Sequence, residues 1–368
     1  MLSVDRILKY LLIFVPIAII ADFVLKADPV LVFILAALGV IPLADLMGDA
    51  TEELAIHTGP RLGGLLNATL GNAAELIITI FALNAGLLDL VRASITGSII
   101  GNLLLVLGFS IFLGGWKHGL QVFDRRTAGL NATLLILAVV ALAVPSLFDV
   151  AIQDNRAAEL GLSEGVAIIM IILYGLSVLY SFTHSHDAPA VNADETDETS
   201  VPPQEIHKAR WSIRTSLIIL AAATVGIAIL SEALVSSVEP VTKQLGLTEF
   251  FIGIIIIPLV GNIAEHLVAV QVALKNKMEL SLAVSLGSSL QVALFVAPVL
   301  VFISLIMNGS GHSLLLVFNN FELIALIAAS IVAAFIALDG ESNWLEGAML
   351  LAVYIIIALA FFYLPTAA

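Results

Sequence analysis

Long apolar runs, each closed by charge, glycine or proline, dominate the chain. They fall near 7–25, 30–47, 65–88, 91–114, 128–149 and 163–182, then near 212–236, 248–274, 279–306, 314–338 and 344–364. Each approaches the roughly 20 residues that carry a helix across the hydrocarbon core of a bilayer. The pattern therefore predicts an all-α integral membrane protein of about eleven transmembrane helices. The first run is interrupted by Pro16 and lacks a small-x-small cleavage pattern, so it reads as a retained span rather than a signal peptide. With the N-terminus inside, eleven of the 15 basic residues fall in inner segments and four in outer ones. That bias predicts a cytosolic N-terminus and an external C-terminus.

One long stretch breaks the pattern. Residues 183–210 hold six acidic side chains together with Pro189, Pro202 and Pro203, which reads as a polar linker on the inner side. His184 and His186 beside Asp187 offer a weak metal site, but they read first as part of that solvated linker.

Composition narrows the class further. Hydrophobic residues make up 60%, charged residues only 12%, and mean hydropathy is +1.09. A soluble chain of this length needs far more charged surface. The net charge of −14 excludes the basic footprint that nucleic acid demands, and it suits the handling of cations. The absence of cysteine excludes disulfides, thiolate metal sites and thiol chemistry.

The two halves repeat. Gly71-Asn-Ala-Ala-Glu75 and Gly261-Asn-Ile-Ala-Glu265 lie 190 residues apart. At the same offset Gly97-Ser98 matches Gly287-Ser288, Ala93 matches Ala283, Leu104 matches Leu294 and Val106 matches Val296. A duplication of five spans inserts its second copy upside down, because five is odd. Inverted repeats with glycine-interrupted segments mark secondary transporters, whose site lies at the repeat interface near the midplane. The expected organisation is an extra N-terminal helix (1–27), a first five-helix repeat (28–182), an acidic cytosolic linker (183–211) and a second five-helix repeat (212–368).

Glu75 and Glu265 sit inside hydrophobic spans, where a carboxylate costs ~2.5–3.5 kcal/mol on insertion scales. Asn72 and Asn262, three residues earlier, share a helical face with them, as do Gly71 and Gly261. Glycine there permits an opened turn whose carbonyl can face an ion. Carboxylates, amide oxygens and backbone carbonyls form an all-oxygen set that suits a hard cation such as calcium. Two ionised glutamates carry a charge that one divalent cation or two protons neutralise equally, which favours exchange over leak. Ser98 and Asn102 in the next span, with Ser288 and Gln291 in its counterpart, are candidate supporting residues; small residues and amides there serve equally as helix-packing contacts. Asn102 and Gln291 are one position out of register. His266, directly after Glu265, is a candidate proton relay or a hydrogen-bonded core histidine.

On these motifs the sequence resembles the calcium/proton (cation/proton) exchangers of the calcium:cation antiporter superfamily. The resemblance rests on residues 67–76, 97–108, 261–266 and 287–295, and it covers nearly the whole chain. It implies eleven helices, with two inverted repeats after an extra first helix. It implies calcium held by Glu75 and Glu265, with Asn72 and Asn262 in support. It also implies a role for the acidic segment (Asp187, Asp194, Glu195, Asp197, Glu198) in gathering or sensing cytosolic calcium. The partners are then calcium ions, protons and the lipid bilayer, with no prosthetic group, and a homo-oligomer is left open. A sodium-coupled exchanger, a cation channel and an intramembrane hydrolase are the rival readings. The fourth and ninth spans offer serines but no acid, which favours protons over sodium, and no Ser-His-Asp set or His-Glu-x-x-His motif supports an enzyme.

Overall fold

The computed structural model describes residues 4–152, 154–184, 209–308 and 313–364. The acidic residues Asp187, Asp194, Glu195, Asp197 and Glu198 lie outside them. The apolar runs form helices because a backbone in hydrocarbon must satisfy its own hydrogen bonds. In chain order these are α1 (Arg6–Val24), α2 (Pro29–Leu70), α3 (Ala73–Asn84), α4 (Leu88–His118), α5 (Arg125–Ile152) and α6 (Arg156–His184). The second half supplies α7 (Ile213–Ser236), the short α8 (Val238–Leu245), α9 (Glu249–Leu274), α10 (Met278–Met307), α11 (Asn320–Asp339) and α12 (Trp344–Phe362). Among the described residues, ten helices are long and apolar enough to cross a membrane, and α3 is a shorter apolar helix. A two-residue antiparallel bridge joins Gln121–Val122, after α4, to Glu341–Ser342, before α12.

The repeat is visible in the element bounds. α4 and α10 begin 190 residues apart, at Leu88 and Met278, and each contains a π-helical stretch at the same place, Gly101–Val106 and Val292–Val296. α3 and α9 end 190 residues apart, at Asn84 and Leu274. α2 packs along α7, α4 against both α9 and α12, and α5 against α11, so the two halves interleave around one core. α1 lies against α2 outside this pairing.

The halves differ where it matters for the site. α9 runs unbroken through Gly261 and Asn262, whereas the first copy is interrupted at Gly71 and Asn72, with Asn72 at φ −100°, ψ 26°. The predicted run at 65–88 is thus two pieces, the end of α2 and the whole of α3. α2 itself breaks at Gly59 (φ 82°, ψ 172°), a conformation essentially reserved for glycine.

Two boundaries depart from the hydrophobic pattern. The run at 30–47 continues as helix through Asp49, Glu52 and Glu53 to Thr58, because Glu53 is buried with partners of its own. The run beginning at 314 does not start as helix: residues 313–319 are non-helical and mostly buried. Serine hydroxyls from three helices accept the N–H groups of this segment, Leu314 to Ser304 (2.9 Å), Leu316 to Ser163 (3.2 Å) and Phe318 to Ser146 (2.8 Å). With those donors satisfied, a non-helical segment can stay away from water. Helix α11 then starts at a capping box in which Asn319 and Glu322 each bond the other's backbone N–H.

Candidate functional site

Glu75 stands in the first turn of α3, 2% exposed, where the interrupted chain turns into helix. Its Oε1 accepts from the Ser98 hydroxyl on α4 and from the Asn262 amide on α9. Donors from both repeats therefore converge on one oxygen. Oε2 of Glu75 is buried without a protein partner, and so is Oε2 of Glu265 on α9. The two carboxylates are close enough to repel one another. Two buried acceptor atoms without donors are costly unless a cation or proton supplies the missing contact.

The glycines explain how the two helices come so close. A Cβ on Gly261 would stand 2.9 Å from Cγ of Glu75. One on Gly71 would stand 3.2 Å from Oε1 of Gln291 and 3.5 Å from Oε1 of Glu265. Each motif glycine thus faces the glutamate of the opposite repeat. Close approach, rather than a positive φ, is what requires glycine here.

Asn72 is placed differently from its counterpart. Its Nδ2 donates to Gln291 Oε1 at 2.7 Å, and its Oδ1 accepts from Ser288 Oγ at 3.0 Å. Asn262 holds a glutamate, whereas Asn72 holds the amide and hydroxyl of α10. The Ser288 hydroxyl also borders Glu265. His266 Nε2 donates to Asn102 Oδ1 at 3.2 Å, and Asn102 Nδ2 is buried without a partner. His266 also lines a small cavity with Gly97, Ser98, Gly101, Pro258 and Tyr354. It therefore lies one residue, Ser98, away from the Glu75 carboxylate. The ten residues expected to bind the ion or support its site, together with His266, gather around this one region.

Three further residues escaped the sequence reading. Tyr354 on α12 reaches the His266 cavity from a span with no motif, so only tertiary structure reveals it. Glu322, 2% exposed, accepts from Thr96 Oγ1 at 3.1 Å on α4. Its Asn-x-x-Glu spacing was a readable cap signal. Glu53 is buried by the chain that enters α7, a contact across 157 residues that no local pattern shows.

The chain matches the description of the sodium/calcium exchanger proteins over residues 29–183 and 215–363. It belongs to that family. Within it, the chain is 47% identical to the Ca(2+)/H(+) antiporter of Aphanothece halophytica, over 99% of this chain and 98% of the relative. It is 45% identical to the Ca(2+)/H(+) antiporter ChaA of Bacillus subtilis (strain 168), over 95% of this chain and 97% of that one. The solved structure of native YfkE superposes with a TM-score of 0.83 at 41% identity, covering 98% of this chain and all of that one. For this exchanger-family chain the shared fold extends across both halves.

Proposed function

We propose that this chain exchanges calcium for protons across the membrane, with Glu75 and Glu265 as the shared carriers. The observation that carries this reading is the pair of carboxylates at the repeat interface, each with one buried oxygen that no protein donor reaches. The donors around them are amides and hydroxyls, and the free acceptors are carboxylate oxygens, a set that fits a hard cation rather than a soft one. Relatives at 45–47% identity over nearly the whole chain are named as Ca(2+)/H(+) antiporters, which supports the same substrate pair.

The exchange follows from charge. One calcium ion neutralises both carboxylates, and so do two protons, one on each unpartnered oxygen. The empty, doubly charged site is the state least able to cross an apolar barrier, so the carrier reorients loaded with one cargo or the other. Asn262 and Ser98 orient the Glu75 carboxylate, while Asn72 fixes Gln291 and Ser288, whose hydroxyl borders Glu265. His266 passes protons between the cavity it shares with Ser98 and the site. With the basic residues concentrated on the inner side, the N-terminus is cytosolic and the proton gradient drives calcium out of the cytosol across a prokaryotic plasma membrane. The chain is in this reading a transporter and performs no covalent chemistry.

The test is calcium uptake into proteoliposomes under an imposed pH gradient, without and then with sodium. Uptake that tracks the pH gradient and ignores sodium is the expected result. Uptake that needs a sodium gradient would replace the coupling ion.

A further inference from the structure

The last stretch of α2 before Gly59 carries Asp49, Glu53 and His57 at four-residue spacing, on one face of the helix. The chain that enters α7 is fastened to this stripe. Glu53, 3% exposed, accepts from the backbone N–H of Arg210 (2.7 Å) and of Trp211 (3.1 Å) on Oε2, and from Arg210 Nε (2.8 Å) on Oε1. Arg210 also reaches Asp49 at 3.7 Å, and His57 Nε2 donates to the Trp211 carbonyl at 2.7 Å. The guanidinium lies 5.8 Å from the Trp211 ring centroid. Ser212 then caps α7 by accepting from Thr215 N. A helix cap alone needs only Ser212; the five contacts before it bind the two residues to α2.

What lies just beyond the stripe gives those contacts a consequence. Gly59 turns the chain with φ 82°, and a Cβ on Gly63 would stand 2.6 Å from the Ala55 carbonyl oxygen, so the segment after the break lies tightly on the last turns of α2. That segment, residues 60–70, leads straight into Gly71 and Asn72. One end of the arm is therefore in the site, and the other rests on the part of α2 that Arg210 and Trp211 grip.

We propose that Arg210 and Trp211 form a strap on α2 that sets the angle at Gly59, and through the 60–70 arm the position of Gly71 and Asn72 in the site. Glu53 and Arg210 are positioning residues, since neither touches the carboxylates. Loosening the strap lets the arm populate a second position, so the equilibrium between carrier conformations shifts while the site's own side chains stay intact. This inference rests on the exchange reading only for its effect on transport; the arm's position is measurable without it.

The chain has no cysteine, which allows a spin-label pair to be introduced cleanly. Leu65 on the arm and Val122 on the two-residue bridge are 48% and 72% exposed, and both lie outside the site. Distances between labels at Leu65→Cys and Val122→Cys are read by double electron–electron resonance in nanodiscs, without and with calcium. Arg210→Ala, and independently Glu53→Gln, should each raise the population of a second distance by about threefold or more, the size of change a modest free-energy bias produces. Calcium for half-maximal exchange should move with it, with little change in maximal rate. Arg210→Lys should recover part of the effect. If both variants fold and keep the wild-type distance distribution, the strap is a plain anchor for α7 and the inference fails. A lower melting temperature with an unchanged distribution would sink it in the same way.

Discussion

Replacing Glu75 by glutamine isolates charge from shape. The amide keeps the volume and keeps an oxygen for Ser98 and Asn262, both of which donate to Oε1. It removes one of the two negative charges and turns the unpartnered Oε2 position into an N–H donor. At about 4 Å and an effective dielectric near 20, a divalent cation and one carboxylate attract by roughly 8 kcal/mol before desolvation. Truncating one member of a buried charge pair costs about 2–5 kcal/mol net, so calcium affinity should fall by about one and a half to three and a half decades. The fold should hold, because burying a carboxylate with an unpaired oxygen is itself unfavourable and the neutral amide relieves that cost. The assays are calcium binding by titration calorimetry, melting temperature in detergent, and calcium uptake by proteoliposomes under a pH gradient. Expected are a retained or raised melting temperature, binding too weak to measure at micromolar calcium, and no exchange. Uptake near the wild-type rate in a folded Glu75→Gln protein would refute the assignment of this carboxylate as a carrier. Glu265→Gln should behave alike, since its Oε2 shares the same condition.

The repeat makes the next prediction a matched pair. A Cβ on Gly287 meets nothing within 4 Å, so Gly287→Ala should fold and transport normally, whereas one on Gly97 would run into the Ile254 carbonyl and stand 2.7 Å from Pro258 Cγ. Gly97→Ala should therefore force α4 off α9 and cost about 1–3 kcal/mol, seen as a lower melting temperature and yield. In Gly261→Ala the new methyl group would stand 2.9 Å from Glu75 Cγ and displace that carboxylate; half-saturating calcium should rise, and unchanged affinity would argue against the close pairing of the two motifs. Asp124 caps α5 by accepting from the Arg126 and Thr127 N–H groups and the Thr127 hydroxyl. The Thr127 hydroxyl, then those N–H groups, hold its carboxyl below the usual aspartate range. The folded value lies below the unfolded one, so the cap's contribution is present above about pH 4 and fades as pH falls through the lower folded value. Asp124→Ala should cost about 0.5–2 kcal/mol at neutral pH with exchange intact, and the gap in melting temperature should close on acidification toward pH 3.

Much of this was legible in the sequence for a simple reason. Hydrocarbon demands long apolar helices, so the spans and the membrane class follow from composition and run length. The duplication shows as identical residues at a fixed offset, and its odd helix count sets the inversion. A carboxylate in an apolar span is expensive enough to stand out, which made Glu75 and Glu265 visible at once. Their companions Asn72, Asn262, Gly71 and Gly261 came with them through helical spacing. Tertiary structure alone decided how the symmetry is broken. Both copies read Gly-Asn-x-x-Glu, yet one is a continuous helix and the other an interrupted chain. Asn262 came to hold Glu75, while Asn72 was drawn to Gln291 and Ser288 instead. Nor could hydropathy show that residues 313–319 are non-helical, since their N–H groups go to three serine hydroxyls, two of them 153 and 172 residues away. The burial of Glu53 by Arg210 is of the same kind. Hydropathy and local spacing report what one segment needs from its surroundings, but which distant group meets that need is settled only when the chain packs.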